Sequence, residues 1–491
     1  MKKRFDFTSK LTAIVLCIVL AASPVLSACA AERGKLGDIN SDDVVSIGDV
    51  TLIQQYIAQM ISFDKKEEAA ADIDGNGEIN ILDADELQRS VANYDSEYPV
   101  DENLKPYEDE KNKAVNALEQ RLDSIGGGNA PKLMRSYDTD KVELSSAAYT
   151  YDNAIAAMAF LSEGKSDKAQ VILDSFVYAV NNDRFLTGKI RNAYRAGVIS
   201  PQNSSEKGAL LPGWWDDRYG WCEDPTQVGC NTGNTAFAVL AMLQYDKINN
   251  TDRYLETTET LMDWVLEDCT DGGLGFTAGF IGWPENGEDS VTRLTYKATE
   301  HQVDLYPVFC QLYSVTGKEK YKNAADSALA FIKSMYNTDG GYFYTGTDAD
   351  GITPNKSVVV LDAQVWNALS LGSEFEPYSS ALDLVKEMKT AEGAYPFCLE
   401  NKNGGFWCEG TAFTALMYDQ RGDYNSFADA MDALCDVQLE NGLFPAATVD
   451  NLSTGIILPD GNEWLYGKDP HIAPAAWFIM SENGFVPYKF I

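Results

Sequence analysis

The chain holds two histidines among 491 residues, and 74 aspartates and glutamates against 39 lysines and arginines. One histidine stands in Lys297-Ala-Thr-Glu-His-Gln-Val-Asp304, directly after Glu300. The other, His471, follows Asp469-Pro470. Carboxyl and imidazole groups are the common proton carriers of acid–base catalysis. A carboxyl keeps its proton near neutral pH when it is buried beside a second negative charge. A different set of oxygen-bearing side chains recurs at fixed spacing near the N-terminus. Asp38, Asn40, Asp42, Ser46 and Asp49 fall at positions 1, 3, 5, 9 and 12 of one loop, and Asp72, Asp74, Asn76, Asn80 and Asp83 at the same positions of another. Such spacing wraps a loop around a hard cation such as Ca²⁺, which takes six or more oxygens. The chain therefore needs one scaffold for two cation loops and another that gathers distant carboxylates.

The N-terminus and the composition bound that search. Lys2, Lys3 and Arg4 precede an apolar run from Leu11 to Leu20, too short for a membrane span, so residues 1–30 read as a signal peptide. Leu26-Ser27-Ala28-Cys29 has the form of a lipobox with Cys29 as the lipidated residue, while Ala28-Cys29-Ala30 suits ordinary signal peptidase. Either way the mature chain is exported, to be secreted or held at the cell surface. After removal ~460 residues remain, room for a small module and one large domain. The net charge of −35 argues against nucleic acid, whose phosphates it would repel. The seven cysteines from Cys222 to Cys435 show no C-x-x-C spacing, so a zinc site is not expected. Cys222 with Cys230, or Cys398 with Cys408, are possible disulfides after export.

The two cation loops belong to a duplicated unit, GDINSDDVVSIGDVTLIQQYIA and ADIDGNGEINILDADELQRSVA. Val44 and Glu78 would add backbone carbonyls at position 7, apolar Val45 and Ile79 follow at position 8, and an apolar helix follows each loop. Position 12 is Asp where an EF-hand has Glu, and no helical pattern precedes the first loop. Asp43 takes the place of the usual glycine at position 6 of the first loop. Residues 35–94 thus resemble a type I dockerin. The resemblance implies two bound Ca²⁺ ions and, as partner, a cohesin domain of a scaffoldin. Ile47-Gly48 and Ile81-Leu82 at positions 10 and 11 differ from the hydroxyl pairs of the best-known dockerins, so the cohesin's identity does not transfer. This proximity of the module to Cys29 favours ordinary secretion, since a docked scaffoldin would crowd a membrane. Residues 95–105, polar, with Pro99 inside and Pro106 just beyond, read as a linker.

From residue 106 to 491 two kinds of helical segment alternate. Six are apolar nearly all round: YTYDNAIAAMAFL, NTAFAVLAMLQY, EHQVDLYPVFCQLY, LDAQVWNALSL, GTAFTALMY and HIAPAAWFIM. Six are amphipathic: EDEKNKAVNALEQRL, KAQVILDSFVYAV, YLETTETLMDWVL, KYKNAADSALAFI, YSSALDLVKEM and FADAMDALCDVQL. Helices apolar on all sides are buried and amphipathic ones lie on a surface. The alternation predicts an all-α (α/α)6 toroid of six helical hairpins. Glycine- and aromatic-rich strings such as DGGLGFTAGF and DGGYFYTGT return the chain to each inner helix across one face. The pattern is similar to the six-hairpin glycosidase-like superfamily as a whole, which implies a sugar-acting ring of glycoside hydrolase, polysaccharide lyase or epimerase type.

In such a ring the starts of the inner helices line the cavity. They carry Asp152, Asn234, Glu300-His301, Asp362 with Gln364, Trp407 with Glu409, and His471. The loop PGWWDDRYGWCEDP adds Trp214, Trp215, Asp216, Asp217 and Trp221. N-capping accounts for some of the aspartates and asparagines, but neither Glu nor His is a favoured cap. Glycoside hydrolysis needs two carboxyls flanking the scissile bond, one of them protonated. The expectation is Glu300 as acid and Asp152 as opposing base, with Asp216, Asp217 and Glu409 as alternatives and His301 positioning substrate. Trp214, Trp215, Trp221 and Trp407 supply flat faces, and Asp216, Asn234, Asp362, Gln364 and His471 supply polar contacts. Carboxylates outnumber Arg191, Arg195, Arg218 and Arg293 in these loops, which favours a neutral glycan. The expected function is a secreted, cellulosome-associated glycoside hydrolase with no cofactor in the ring. A lyase or epimerase, or a non-catalytic glycan binder, are the alternatives.

Overall fold

A computed structural model describes residues 33–203, 206–402, 404–457 and 461–489. The expected signal peptide and Cys29 lie outside the described residues. Three short helices come first: α1 (Ile47–Ile57), α2 (Lys65–Ala71) and α3 (Ile81–Val91). Ser46 and Asn80 cap α1 and α3, and in each case the carboxylate three residues on, Asp49 or Asp83, caps back. This reciprocal capping box satisfies two orphan N–H groups at each helix start. Ile39, Val50, Ile53, Ile73, Ala84 and Leu87 form the module's own core.

The segment expected as a linker is instead built into this module. Leu104 is buried in its core, with Tyr98 and Val100 packed alongside. The backbone of residues 101–104 pairs with that of residues 34–36. Tyr98, Val100 and Leu104 are apolar residues that a free tether would leave in water, and burying them offsets the entropy of ordering the segment.

The remainder forms the ring. Inner helices α5 (Thr150–Ser162), α7 (Thr232–Asn249), α9 (Thr299–Thr316), α11 (Asp362–Ser370), α13 (Cys408–Gln420) and α15 (Ile472–Glu482) alternate with outer ones. The outer helices are α4 (Glu108–Asp123), α6 (Ser166–Asn181), α8 (Leu255–Asp268), α10 (Glu319–Ser334), α12 (Ala381–Met388) and α14 (Tyr424–Cys435). Each inner helix packs on the next and the last packs on the first, while α4 closes against α15. The inner helices are buried nearly all round, and alanines such as Ala154, Ala156, Ala157 and Ala159 let neighbours approach closely. Pro307 sits inside α9 and has no N–H to give the carbonyl of Val303. Ser370 of α11 donates to that carbonyl at 2.9 Å, so the inner-helix contact repairs the gap.

The returning loops form seven small sheets among the described residues, one of three strands and six of two. The three-stranded sheet pairs Cys230–Asn231 with Gly279–Gly282 and the latter with Val291–Leu294, all antiparallel. At the opposite end the C-terminal segment plugs the ring. Gln244 of α7 and Gln311 of α9 donate to the carbonyls of Pro487 and Tyr488 at 3.0 and 3.3 Å. The cysteines from Cys222 to Cys435 are free thiols, so neither possible disulfide is formed.

The N-terminal module is clamped to the ring. Lys65 of α2 lies 2.6 Å from Asp429 and 2.6 Å from Asp432 of α14. Arg33 donates to Asp419 at 2.7 Å and Glu482 at 2.8 Å, with its guanidinium 4.3 Å over the Phe427 ring. Asp419 and Glu482 close the C-terminal ends of α13 and α15. At about 1.5 Å per residue, ten residues of α13 set this clamp about 15 Å from Glu409 at the helix start.

Candidate active site in the ring and candidate cation loops

Side chains in the first turn of the inner helices hold the returning loops, and the same pattern recurs around the ring. The opening threonines donate to a later loop: Thr150 to the Arg191 carbonyl and Thr299 to the Tyr344 carbonyl, both at 2.6 Å. A polar residue near the end of the first turn clasps an earlier loop. Asn153 bonds both backbone groups of Met134, Gln302 both of Phe276, and Gln364 both of Phe343. Thr411 does the same for Tyr395. Buried backbone groups in irregular loops need such partners. With both flanks engaged, the residue two positions before each clasp is left to face the axis. In three successive helices that residue is Glu300, Asp362 and Glu409.

These carboxyls act on one another. Glu300 is half-buried, while Asp362 and Glu409 are almost wholly buried. Burial, then Asp362 and Glu409 nearby, holds the Glu300 carboxyl well above the ordinary range. Burial pushes Asp362 up to about 7. Burial, with Asp152 and Asp362 close by, pushes Glu409 up to about 8, against a hydrogen bond from Tyr151. Trp477 in turn donates its indole N–H to the Tyr151 hydroxyl at 2.9 Å, fixing that phenol. One turn below Glu300, Asp304 accepts from the Tyr488 hydroxyl at 3.2 Å, and burial beside Glu300 raises it too. A group of acids that cannot all ionise together stores protons near neutral pH.

Asp152 differs from them in having an imidazole partner. Its Oδ2 lies 3.0 Å from His471 Nε2. The His471 ring stacks on Tyr137, centroids 3.9 Å apart. An aromatic wall rises from this floor: Tyr466 stacks on Trp407 at 5.7 Å, and Trp464 follows at 5.1 Å from Tyr466 and 37% exposed. Burial, then Glu409, Asp152, Asp362 and Glu300, raises the Tyr466 phenol, so this one ring feels the charge of all four carboxyls. The site thus offers protonated carboxyls, an imidazole-held carboxyl and a flat apolar wall that runs out to solvent.

The structure brings Asp152, Glu300, Asp362, Trp407, Glu409 and His471 together. It places other expected residues elsewhere. His301 points sideways: its Nδ1 lies 2.9 Å from Thr232 Oγ1, and its ring covers Gly233, where a Cβ would come within 2.5 Å. Burial lowers the His301 imidazole to about 4, so it is neutral at physiological pH. Gln364 spends its amide on Phe343 and Val360, and Asn234 donates to Asn192 at 2.9 Å. Asp216 accepts the backbone N–H groups of Arg218 and Tyr219, closing the turn of a hairpin on which Asp217 is exposed. Trp214, Trp215 and Trp221 belong to the same hairpin. Sequence reasoning missed Tyr137, Tyr151, Asp304, Tyr466 and Tyr488. Tyr151 and Asp304 had a signal, one beside Asp152 and the other one helical turn after Glu300.

The two acidic loops share one backbone pattern. Asp38 accepts from the N–H groups of Asp42 and Asp43, and Asp72 from those of Asn76 and Gly77. Asp49 accepts from Ile39 and Asn40 as Asp83 does from Ile73 and Asp74. Asp43 takes the left-handed φ of 64°, matching Gly77 at 82°. Oxygens of Asp72, Asp74 and Asp83 lie within 4.8 Å of one another, and burial with these like charges raises Asp72. A convergent all-oxygen set of this kind fits a hard cation.

Residues 36–92 match the type I dockerin domain family. No curated relative matches the chain. Among solved structures, the chain is similar to an alpha-amylase from Clostridium perfringens, 10% identical over 77% of this chain and 98% of that one, with a TM-score of 0.52. A D-mannose isomerase is likewise 10% identical over 77% of this chain and 97% of its own, with a TM-score of 0.52. Residues 36–92 are a type I dockerin domain, and the ring that follows has the six-hairpin glycosidase-like fold.

Proposed function

We propose that the chain is a secreted, cellulosome-associated glycoside hydrolase acting on a neutral glycan. In this reading Glu300 is the general acid and Asp152 the opposing carboxylate. One observation carries it: Glu300 lies among Asp362 and Glu409, in surroundings that keep its proton. Glu300 would protonate the leaving oxygen while Asp152, oriented by His471, activates water or attacks the anomeric carbon. Tyr466, Trp407 and Trp464 would carry sugar faces. Asp362 and Glu409 would act through Glu300 by holding its proton. The dockerin would bind a cohesin of a scaffoldin, and its clamp at the far end of the ring leaves the mouth free. Calcium would be held by Asp38, Asn40, Asp42, Ser46 and Asp49 in the first loop and Asp72, Asp74, Asn76, Asn80 and Asp83 in the second, where it supplies the charge that offsets the clustered carboxylates.

The test is a panel of neutral and acidic polysaccharides incubated with wild type, Glu300→Gln and Asp152→Asn. New reducing ends without ultraviolet-absorbing unsaturated products, lost in both variants, are expected. Unsaturated products would make it a lyase. The His471–Asp152 pair on the cavity floor favours one second reading, a sugar epimerase or isomerase with His471 as base. Deuterium uptake at C2 of a free hexose in D₂O, abolished by His471→Asn, would identify that activity.

A further inference from the structure

The hairpin in the loop before α7 turns its aromatic rings to solvent. Trp214–Asp216 pairs with Gly220–Cys222, and Trp215 stands directly opposite Trp221. Residues directly opposite in an antiparallel pair share a face, so the two indoles lie side by side. Trp215 is 70% exposed, Tyr219 79% and Trp221 43%. Contiguous exposed apolar surface of this kind marks binding sites. The indole of Trp221 is held from behind, with the Arg195 guanidinium 4.6 Å over its ring.

Trp221 also forms one wall of an open cavity of about 670 Å³, with Trp283, Arg184, Glu223 and Glu285. That volume lies within the range of small-ligand sites. Its polar groups are set in advance. Arg184 grips Glu223 through two bonds of 2.8 and 2.7 Å and also pairs with Glu285, and the Trp283 indole donates to Glu223 at 3.0 Å. With the only arginine of this lining already engaged by carboxylates, nothing here attracts an anion. Flat apolar faces beside carboxylates already matched by Arg184 suit a neutral pyranose, whose C–H face stacks on them.

A strand pair runs from this cavity towards the carboxylates in the ring. Trp283 follows the strand Gly279–Gly282, whose partner strand Val291–Leu294 leads on to Tyr296. Tyr296 is close enough to Glu300 to feel its charge. Five residues of extended chain from Val291 to Tyr296 span about 17 Å at about 3.4 Å each. We propose that the cavity between Trp221 and Trp283, with Trp215 at its lip, is a distal subsite for a neutral polysaccharide chain that reaches on to the carboxylates. The proposal rests on the reading of the ring as sugar-acting and sharpens it: the substrate is a polymer.

Affinity electrophoresis of the full chain through gels containing arabinoxylan, xyloglucan or galactomannan tests this, with polygalacturonate as the acidic counterpart. At least one neutral polymer should retard the wild type. Trp215→Ala/Trp221→Ala should weaken that retention about tenfold, since two stacking faces are lost, and Trp283→Phe should weaken it less. Glu300→Gln should be retarded like the wild type. An unchanged thermal midpoint in the tryptophan variants excludes misfolding. Equal retardation of the double variant and wild type overturns the subsite, as does retardation by polygalacturonate alone or by no polymer. Retention without any hydrolysis product would remove the hydrolase reading and leave the subsite standing.

Discussion

Replacing Gln364 by leucine tests whether the loop clasps position the site. The Gln364 side chain is wholly buried and accepts from the Phe343 N–H at 2.8 Å. It donates to the carbonyls of Phe343 and Val360 at 2.9 and 3.1 Å. Leucine fills similar space but leaves both Phe343 backbone groups without their partner. Each such buried group costs about 1–3 kcal/mol, giving about 2–6 kcal/mol for the pair. At about 2 °C per kcal/mol for a domain of this size, the thermal midpoint should fall by about 4–12 °C. Hydrogen exchange at the Phe343 amide should accelerate in parallel, because its acceptor is gone. Turnover should fall as well, since Asp362 stands two residues earlier in the same turn. A midpoint within about 1 °C of wild type, with Phe343 exchange unchanged, would refute the idea that these clasps fix the inner-helix starts.

Chelation by EDTA should melt the module's helices and abolish cohesin binding while the ring keeps its helical signal; loss of the ring's circular dichroism would contradict two separate cores. Arg33→Ala should cost about 3–5 kcal/mol at the clamp, because Glu482 stays buried without its partner, and faster proteolysis between module and ring reads the loosening. The ring should lose stability as pH rises from about 5 to about 8, because its raised carboxyls bind protons when folded that the unfolded chain has released. Asp362 and Glu409, with folded values of about 7 and about 8, define that window. Glu409→Gln should flatten the slope in urea titrations across these pH values, and a slope equal to wild type would contradict its burial as an acid.

Much of the architecture was legible because helices buried on all sides carry a composition that amphipathic ones lack. The runs NTAFAVLAMLQY and YLETTETLMDWVL differ in that respect at sight, and they became α7 and α8. The dockerin loops were legible because cation ligation imposes fixed spacing on a local stretch. Glu300, Asp362 and Glu409 were legible as helix-start acids, but their mutual electrostatics depends on ring closure. Tyr466 and Tyr488 reach the site from a distant hairpin and from the C-terminal plug, which no local period marks. The tryptophan-rich loop suggested a wall of the ring's central cavity, yet its short hairpin turns Trp215 and Trp221 outwards, away from the carboxylates. Residues 95–105 read as a linker from prolines and charge, whereas Tyr98, Val100 and Leu104 pack into the module.

The most direct measurement is the initial rate of reducing-end release from a responsive neutral polysaccharide by Glu300→Gln beside wild type. Loss of a general acid lowers such a rate by about 10²- to 10⁴-fold. The account predicts a fall in that range in kcat, with KM nearly unchanged and the fold intact. Wild-type turnover by Glu300→Gln would contradict it and pass the acid's role to another carboxyl of the ring.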